Sequence, residues 1–211
     1  PTLGNLTKVS HWDDQNFKWL DTVNTYDTYG NRITTIAPKG VATTGDPNDF
    51  ITTFTYDPVT RATVTQVTVD PRNGTGAQTA TMAYDYSTGR ITSQTDVNGQ
   101  TTTTSYTNQL LGTVDPYMRP GLVTGPLVTS VANGVTYANQ QQQVRTTYDD
   151  NLRQVIAETD LATTGDRKLK TRTSADQLGR VKLTESNEDG ASNYTLSSQT
   201  LYFEMGRITM A

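Results

Sequence analysis

Cysteine is absent from these 211 residues, and histidine occurs once, at His11. Without cysteine there is no disulfide framework, which argues against a small secreted animal domain. It suits the cytoplasm, and equally a large exported bacterial protein. A single histidine cannot complete a zinc set, and any nucleophilic triad would have to use His11 as its base. No Gly-x-Ser-x-Gly elbow, phosphate loop or dinucleotide fingerprint occurs. Long apolar runs are missing too: none approaches the ~18 residues of a membrane-spanning helix. No secretory signal is seen. Charge is sparse, with 17 basic residues against 21 acidic ones and a net of -4. The basic residues are dispersed, which excludes a nucleic-acid surface. The adjacent acids Asp13–Asp14 and Asp149–Asp150 point to opposite faces of a strand, so they do not converge on a substrate. Asp46, Asn48 and Asp49, and likewise Asn187, Glu188 and Asp189, offer oxygen ligands, but neither group completes a calcium loop. No catalytic, cofactor or metal site is expected.

What fills the chain instead is threonine, 42 residues, with 11 tyrosines. Both favour strands, where a branched or aromatic side chain packs on the pleated surface. Hydrophobic residues make up only 33%, a low share for a globular domain. The regular spacing of aromatics and the modest net charge speak against disorder.

That spacing is an internal repeat. Its copies are Tyr26-Asp27 with Gly30 and Arg32; Tyr56-Asp57 with Arg61; Tyr84-Asp85 with Gly89 and Arg90; Tyr106 with Gly112; Tyr148-Asp149 with Arg153; Asp176 after Ala175, with Gly179 and Arg180; and Tyr202 with Gly206 and Arg207. Successive starts lie 30, 28, 22, 42, 27 and 27 residues apart. Alternating segments flank each copy: Phe50, Thr52, Phe54 and Tyr56 share one strand face. Aspartate bonds backbone two residues on, and glycine takes φ > 0 freely. The unit is therefore strand, tight turn, strand. In this reading the arginine opens the return strand, and the Tyr56 and Tyr148 copies lack a glycine. Further turns appear at Asp70-Pro71, Asp96 to Gly99 and Asn187 to Gly190. Two turns per repeat make a meandering antiparallel sheet that buries itself against its own neighbours. Residues 112–143 break the rhythm, through an inserted loop or a degenerate copy. Gln140 to Gln143 within them read as a loop edge. Leu161 to Asp166 resembles Val41 to Asp46, a second sign of duplication.

The Tyr-Asp-x-x-Gly-Arg pattern resembles the tyrosine-aspartate (YD), or Rhs, repeat over residues 20–211. That family includes bacterial Rhs proteins, the B and C components of insecticidal toxin complexes, and teneurins. The resemblance implies an all-β fold of tandem antiparallel hairpins forming part of a spiralling sheet or hollow shell. It makes the residues just named structural positions of the repeat. It implies a non-catalytic wall segment of a large secreted or surface bacterial protein, read as one segment, 1–211, excised from something longer. The expected partners are further repeats of the same polypeptide or a companion shell subunit, and an encapsulated toxin polypeptide. An adhesion scaffold is the alternative within the family. A carbohydrate-binding β protein is the alternative outside it, and would need Trp12, Trp19 and Tyr117 to line one groove.

Overall fold

The computed structural model describes residues 4–38, 50–71, 76–132, 134–188, 194–202 and 208–210. They contain strands and turns and no helix. The chain divides into two compact units, residues 1–100 and 101–211.

The first unit holds β1 (Lys8–Asp13), β2 (Lys18–Tyr26), β3 (Arg32–Ala37), β4 (Phe50–Tyr56), β5 (Val64–Asp70), β6 (Gln78–Asp85) and β7 (Arg90–Thr95). Each pairs antiparallel with the next in chain order. The alternation read from the sequence becomes two unlike faces. Thr25, Thr34, Thr53, Thr68 and Thr79 stand opposite one another on successive strands of one face. Their hydroxyls bond across strands, as between Thr68 and Thr79 at 3.1 Å. Threonine pairs of this kind stabilise a solvated face. Phe54 opposite Val67 and Tyr56 opposite Val64 belong to the other, apolar face.

The second unit holds β8 (Thr101–Ser105), β9 (Leu122–Ala132), β10 (Val135–Asp149), β11 (Gln154–Thr159), β12 (Leu169–Ala175), β13 (Val181–Asn187) and β14 (Thr195–Gln199), again paired antiparallel in order. A short hairpin, β15 (Leu201–Tyr202) with β16 (Ile208–Met210), follows. One face carries a charge ladder. Glu158 lies 2.9 Å from Lys170 and 3.9 Å from Arg145, and Glu185 lies 2.7 Å from Arg172.

Three details depart from the sequence reading. Gln140 to Gln143 are not a loop edge: they lie within β10, with Gln140 opposite Val128 and Gln143 opposite Thr124. Thr164, in the 160–168 connection, further anchors them: its amide donates to Gln140 Oε1 and its hydroxyl to the Gln141 carbonyl. Their polarity misled because a sheet face can be solvated. Second, Asp115 to Arg119, inside the irregular 112–143 stretch, forms a turn like those of the quoted copies. Third, a β-bulge recurs beside the motif position. Ile33, Thr65, Thr92 and Lys182 are each unpaired extra residues on the return strand, and such bulges bend the strand and sharpen its twist. The Tyr148 hairpin has none.

Most strand residues are half-buried. The largest fully buried side chains among the described residues are polar, Asn108 and Asp115. Cohesion therefore comes chiefly from strand pairing and from polar side chains that close the turns.

Candidate functional site

The repeat positions converge on two devices, a turn cap and a joint between repeats. In the cap, a carboxylate accepts backbone amides of its own turn. Asp27 takes those of Tyr29 and Asn31 at 2.9 and 2.8 Å, and Asp176 those of Leu178 and Arg180 at 2.8 and 3.0 Å. Asp96 and Asp115 do the same two and four residues on. In each the residue three after the aspartate has positive φ: Gly30, Gly179, Gly99 and Met118. A second class is one residue longer. Asp57, Asp85, Asp13 and Asn108 accept the amides two and three residues on. The positive φ then falls four residues on, at Arg61, Gly89, Phe17 and Gly112. Asp149 caps the Leu152 amide, with Arg153 at positive φ.

Arg61 and Arg153 thus stand where other copies have glycine, and do not open the return strand as expected. The reason is the extra turn residue, which the spacing alone did not reveal. Tyr106 has its cap supplied by Asn108, one residue later than the pattern suggests. Asp13, Asp96, Asn108 and Asp115 escaped the repeat because no tyrosine stands immediately before them. An Asp or Asn followed three or four residues later by a left-handed residue is the signal that would have found them.

The caps leave the carboxylates strongly held. The Tyr86 hydroxyl, 2.6 Å from Asp57, with the Thr60 and Val59 amides, lowers the Asp57 pKa, and Asp57 raises that of Tyr86 in turn. Burial works to raise Asp27, but the Asn31 side chain and the turn amides outweigh it. Burial likewise opposes the amides of Thr163, Leu161, Ala162 and Lys168 around Asp166, which prevail and hold it at about 2. Carboxylates so saturated with amide donors are poor metal ligands. No group of three or more His, Cys, Asp or Glu suited to a metal occurs among the described residues.

The joint is made by the motif tyrosine. Tyr56 donates its hydroxyl to the Arg32 carbonyl at 3.1 Å, Tyr148 to Pro120 at 3.2 Å, and Tyr202 to Val181 at 2.8 Å. Each acceptor lies two residues beyond the left-handed residue of the preceding turn: Gly30, Met118 and Gly179. Tyr26 donates to Leu6 at 2.8 Å. Tyr84 turns instead to Met82 Sδ. Arginines reinforce the joints by covering aromatic rings: Arg180 over Tyr202 and Arg119 over Tyr148 at 4.2 Å, Arg32 over Phe54 at 4.8 Å. Arg61 reaches back to Tyr29, covering its ring at 4.7 Å and bonding its hydroxyl. Arg90 starts β7 opposite Asp85. Gly206 and Arg207, like residues 41–49 and Asp189, lie outside the described residues.

The most elaborate joint surrounds Arg119. It bonds buried Asp115 through Nε and Nη2 at 3.1 and 2.9 Å, and exposed Asp150 through both terminal nitrogens at 2.7 and 2.8 Å. Asn108 Nδ2 donates to Asp115 at 2.9 Å. Arg119, with Asn108 and the turn amides, holds the Asp115 pKa far below the usual carboxylate range despite burial. The arrangement is cohesive and offers no free acid or base.

Of the side features, His11 is exposed in β1 opposite Leu20. Trp12 and Trp19 are cross-strand partners with ring centroids 5.3 Å apart. Tyr117 lies under Arg119 at 4.9 Å.

No family model matches this chain, and no curated protein matches it. Its fold is similar to part of a solved structure, the crystal structure of TcdB2-TccC3-TEV. The TM-score is 0.55 at 12% sequence identity, over 96% of this chain and 10% of that one. TcdB2-TccC3 is a Tc toxin B/C shell built of YD/Rhs repeats. The likeness is one of fold, and it bears out the all-β architecture of tandem antiparallel hairpins. This chain spans about a tenth of that one's length.

Proposed function

We propose that this chain is a non-catalytic wall segment of a large bacterial shell that encloses a toxin polypeptide. The observation that carries this reading is the fold likeness, nearly the whole chain lying on a small part of a toxin shell. The joints support it. Tyr56, Tyr148 and Tyr202 each tie one repeat to the one before, so the sheet is suited to growth along one direction. The side chains of the caps and joints are occupied in holding backbone, as expected of a wall. The partners are further repeats of the same kind, from the same polypeptide or a companion subunit, and the enclosed polypeptide. The setting is secretion from a bacterium.

Size-exclusion chromatography with light scattering on residues 1–211 tests the structural half. A wall segment leaves sheet edges and an apolar face that associate, so oligomers growing with concentration are expected. A compact, cooperatively melting monomer at all concentrations would overturn the reading.

A further inference from the structure

The joints differ in what covers the motif tyrosine. In two of them the residue four after the turn aspartate is an arginine that covers the ring. Arg119 follows Asp115 and lies 4.2 Å from the centre of the Tyr148 ring, and Arg180 follows Asp176 and lies 4.2 Å from that of Tyr202. Each guanidinium also bonds the carboxylate of its own turn, Asp115 at 2.9 Å and Asp176 at 2.7 Å. Tyr117, two residues after Asp115, supplies Arg119 with a second ring at 4.9 Å.

The joint made by Tyr56 has the same frame without that guanidinium. Its hydroxyl reaches the Arg32 carbonyl as that of Tyr148 reaches Pro120, each two residues beyond the left-handed position. Asp27 thus stands where the other joint has Asp115, Tyr29 where it has Tyr117, and Tyr56 where it has Tyr148. Four residues after Asp27, however, comes Asn31. Its short side-chain amide is spent on Asp27 at 3.0 Å and on the Arg61 carbonyl at 2.6 Å. The arginine arrives one residue late, and Arg32 covers Phe54 instead. Among the described residues no cation lies over the Tyr56 ring.

The vacancy is a cleft of about 400 Å³ whose lining includes Asp27, Tyr29, Ile33, Tyr56, Asp57 and Arg61. It is open to solvent, Tyr29 being 60% exposed. Two carboxylates in the lining face one guanidinium, that of Arg61, which is already engaged with the ring and hydroxyl of Tyr29. One negative charge is left over, and Ile33 offers an apolar surface to a methylene stem.

We propose that this cleft binds an arginine side chain presented by another polypeptide, its guanidinium taking the place against Tyr56 that Arg119 and Arg180 fill in the other joints. A guanidinium suits the site better than an ammonium, because its plane stacks on a ring while its fork meets a carboxylate. The inference rests on the comparison of joints and does not require a shell.

The test is a titration of the chain with the capped tripeptide acetyl-Gly-Arg-Gly-amide, followed by the aromatic NMR signals of the tyrosines. The rings of Tyr29 and Tyr56 shift, and those of Tyr148 and Tyr202, whose places are filled, do not. The same tripeptide with citrulline for arginine, alike in shape but uncharged, binds roughly tenfold more weakly. Asn31→Arg supplies the missing guanidinium from the chain itself and abolishes binding. Should that variant fold poorly, the comparison of arginine with citrulline on the wild type decides alone. Equal binding of the two tripeptides, binding undiminished in a folded Asn31→Arg variant, or no shift at tens of millimolar tripeptide would overturn the proposal. Tighter binding of free L-arginine than of the tripeptide would also overturn it, by giving the cleft to a small molecule.

Discussion

Replacing Arg119 by alanine is the sharpest probe of the joints. Arg119 is held between two aspartates in opposite surroundings. The Asp115 side chain is 0% exposed and that of Asp150 is 54% exposed. Breaking a buried pair costs about 3–5 kcal/mol, because the remaining charge has no solvent to turn to. Asp115 would keep Asn108 and two amides, so the lower end, roughly 3 kcal/mol, is expected for Arg119→Ala. Asp150→Ala removes a solvent-exposed partner and should cost under about 1 kcal/mol. Urea melts of both variants give the comparison. The pH dependence supplies a second readout. The folded-state pKa of Asp115 is lowered from its ordinary 3.8, so its contribution is present above that value and is lost as pH falls through the folded pKa. Arg119→Ala removes the main cause of the lowering, so less stability remains to be lost on acidification and the acid limb of the stability profile should be shallower than in the wild type. If Arg119→Ala proved no more costly than Asp150→Ala, or left the acid limb unmoved, the reasoning would be wrong.

Other positions discriminate as clearly. A Cβ at Gly121 would meet the Thr107 carbonyl oxygen at 1.8 Å, whereas at Gly125 the nearest contact, Gln142 O, is 3.4 Å away. Gly121→Ala should therefore cost about 4 kcal/mol or more, and Gly125→Ala under about 1 kcal/mol, by the same melts. Gly179 has φ +78 with open space around it, so Gly179→Val costs roughly 1–2 kcal/mol from backbone strain alone. Gly179→Asn should recover most of that loss, and equal melting of all three forms would refute the left-handed assignment. Tyr56→Phe removes the bond to Arg32 and keeps the ring, for about 0.5–1.5 kcal/mol. Faster exchange of amides at the β3–β4 boundary should accompany it.

The strand–turn–strand unit was legible because its signals are local. Alternation over Phe50 to Tyr56 reports a pleated face, and Asp27 to Gly30 or Asp176 to Gly179 reports a turn whose chemistry lies within four residues. Features that depend on the partner strand were hidden. Nothing local marks Ile33 or Lys182 as bulged, since the extra residue is defined only by what stands opposite. Turn length was hidden at Arg61 and Arg153, where a long side chain occupies a conformation usually left to glycine. Asn108 and Asp115 come together only when the 106–121 connection folds on itself, so their burial could not be read from spacing. Gln140 to Gln143 show the reverse error: polarity suggested a loop where one sheet face is simply wet.

Electron cryo-microscopy of the complete gene product carrying this segment tests the central claim most directly. The account predicts a hollow body in which the strands of each unit, β1 to β7 and β8 to β14, lie in the wall, with one face turned to an enclosed volume holding additional polypeptide. A map in which both faces of this sheet meet bulk solvent, with no enclosing wall around it, would contradict the account.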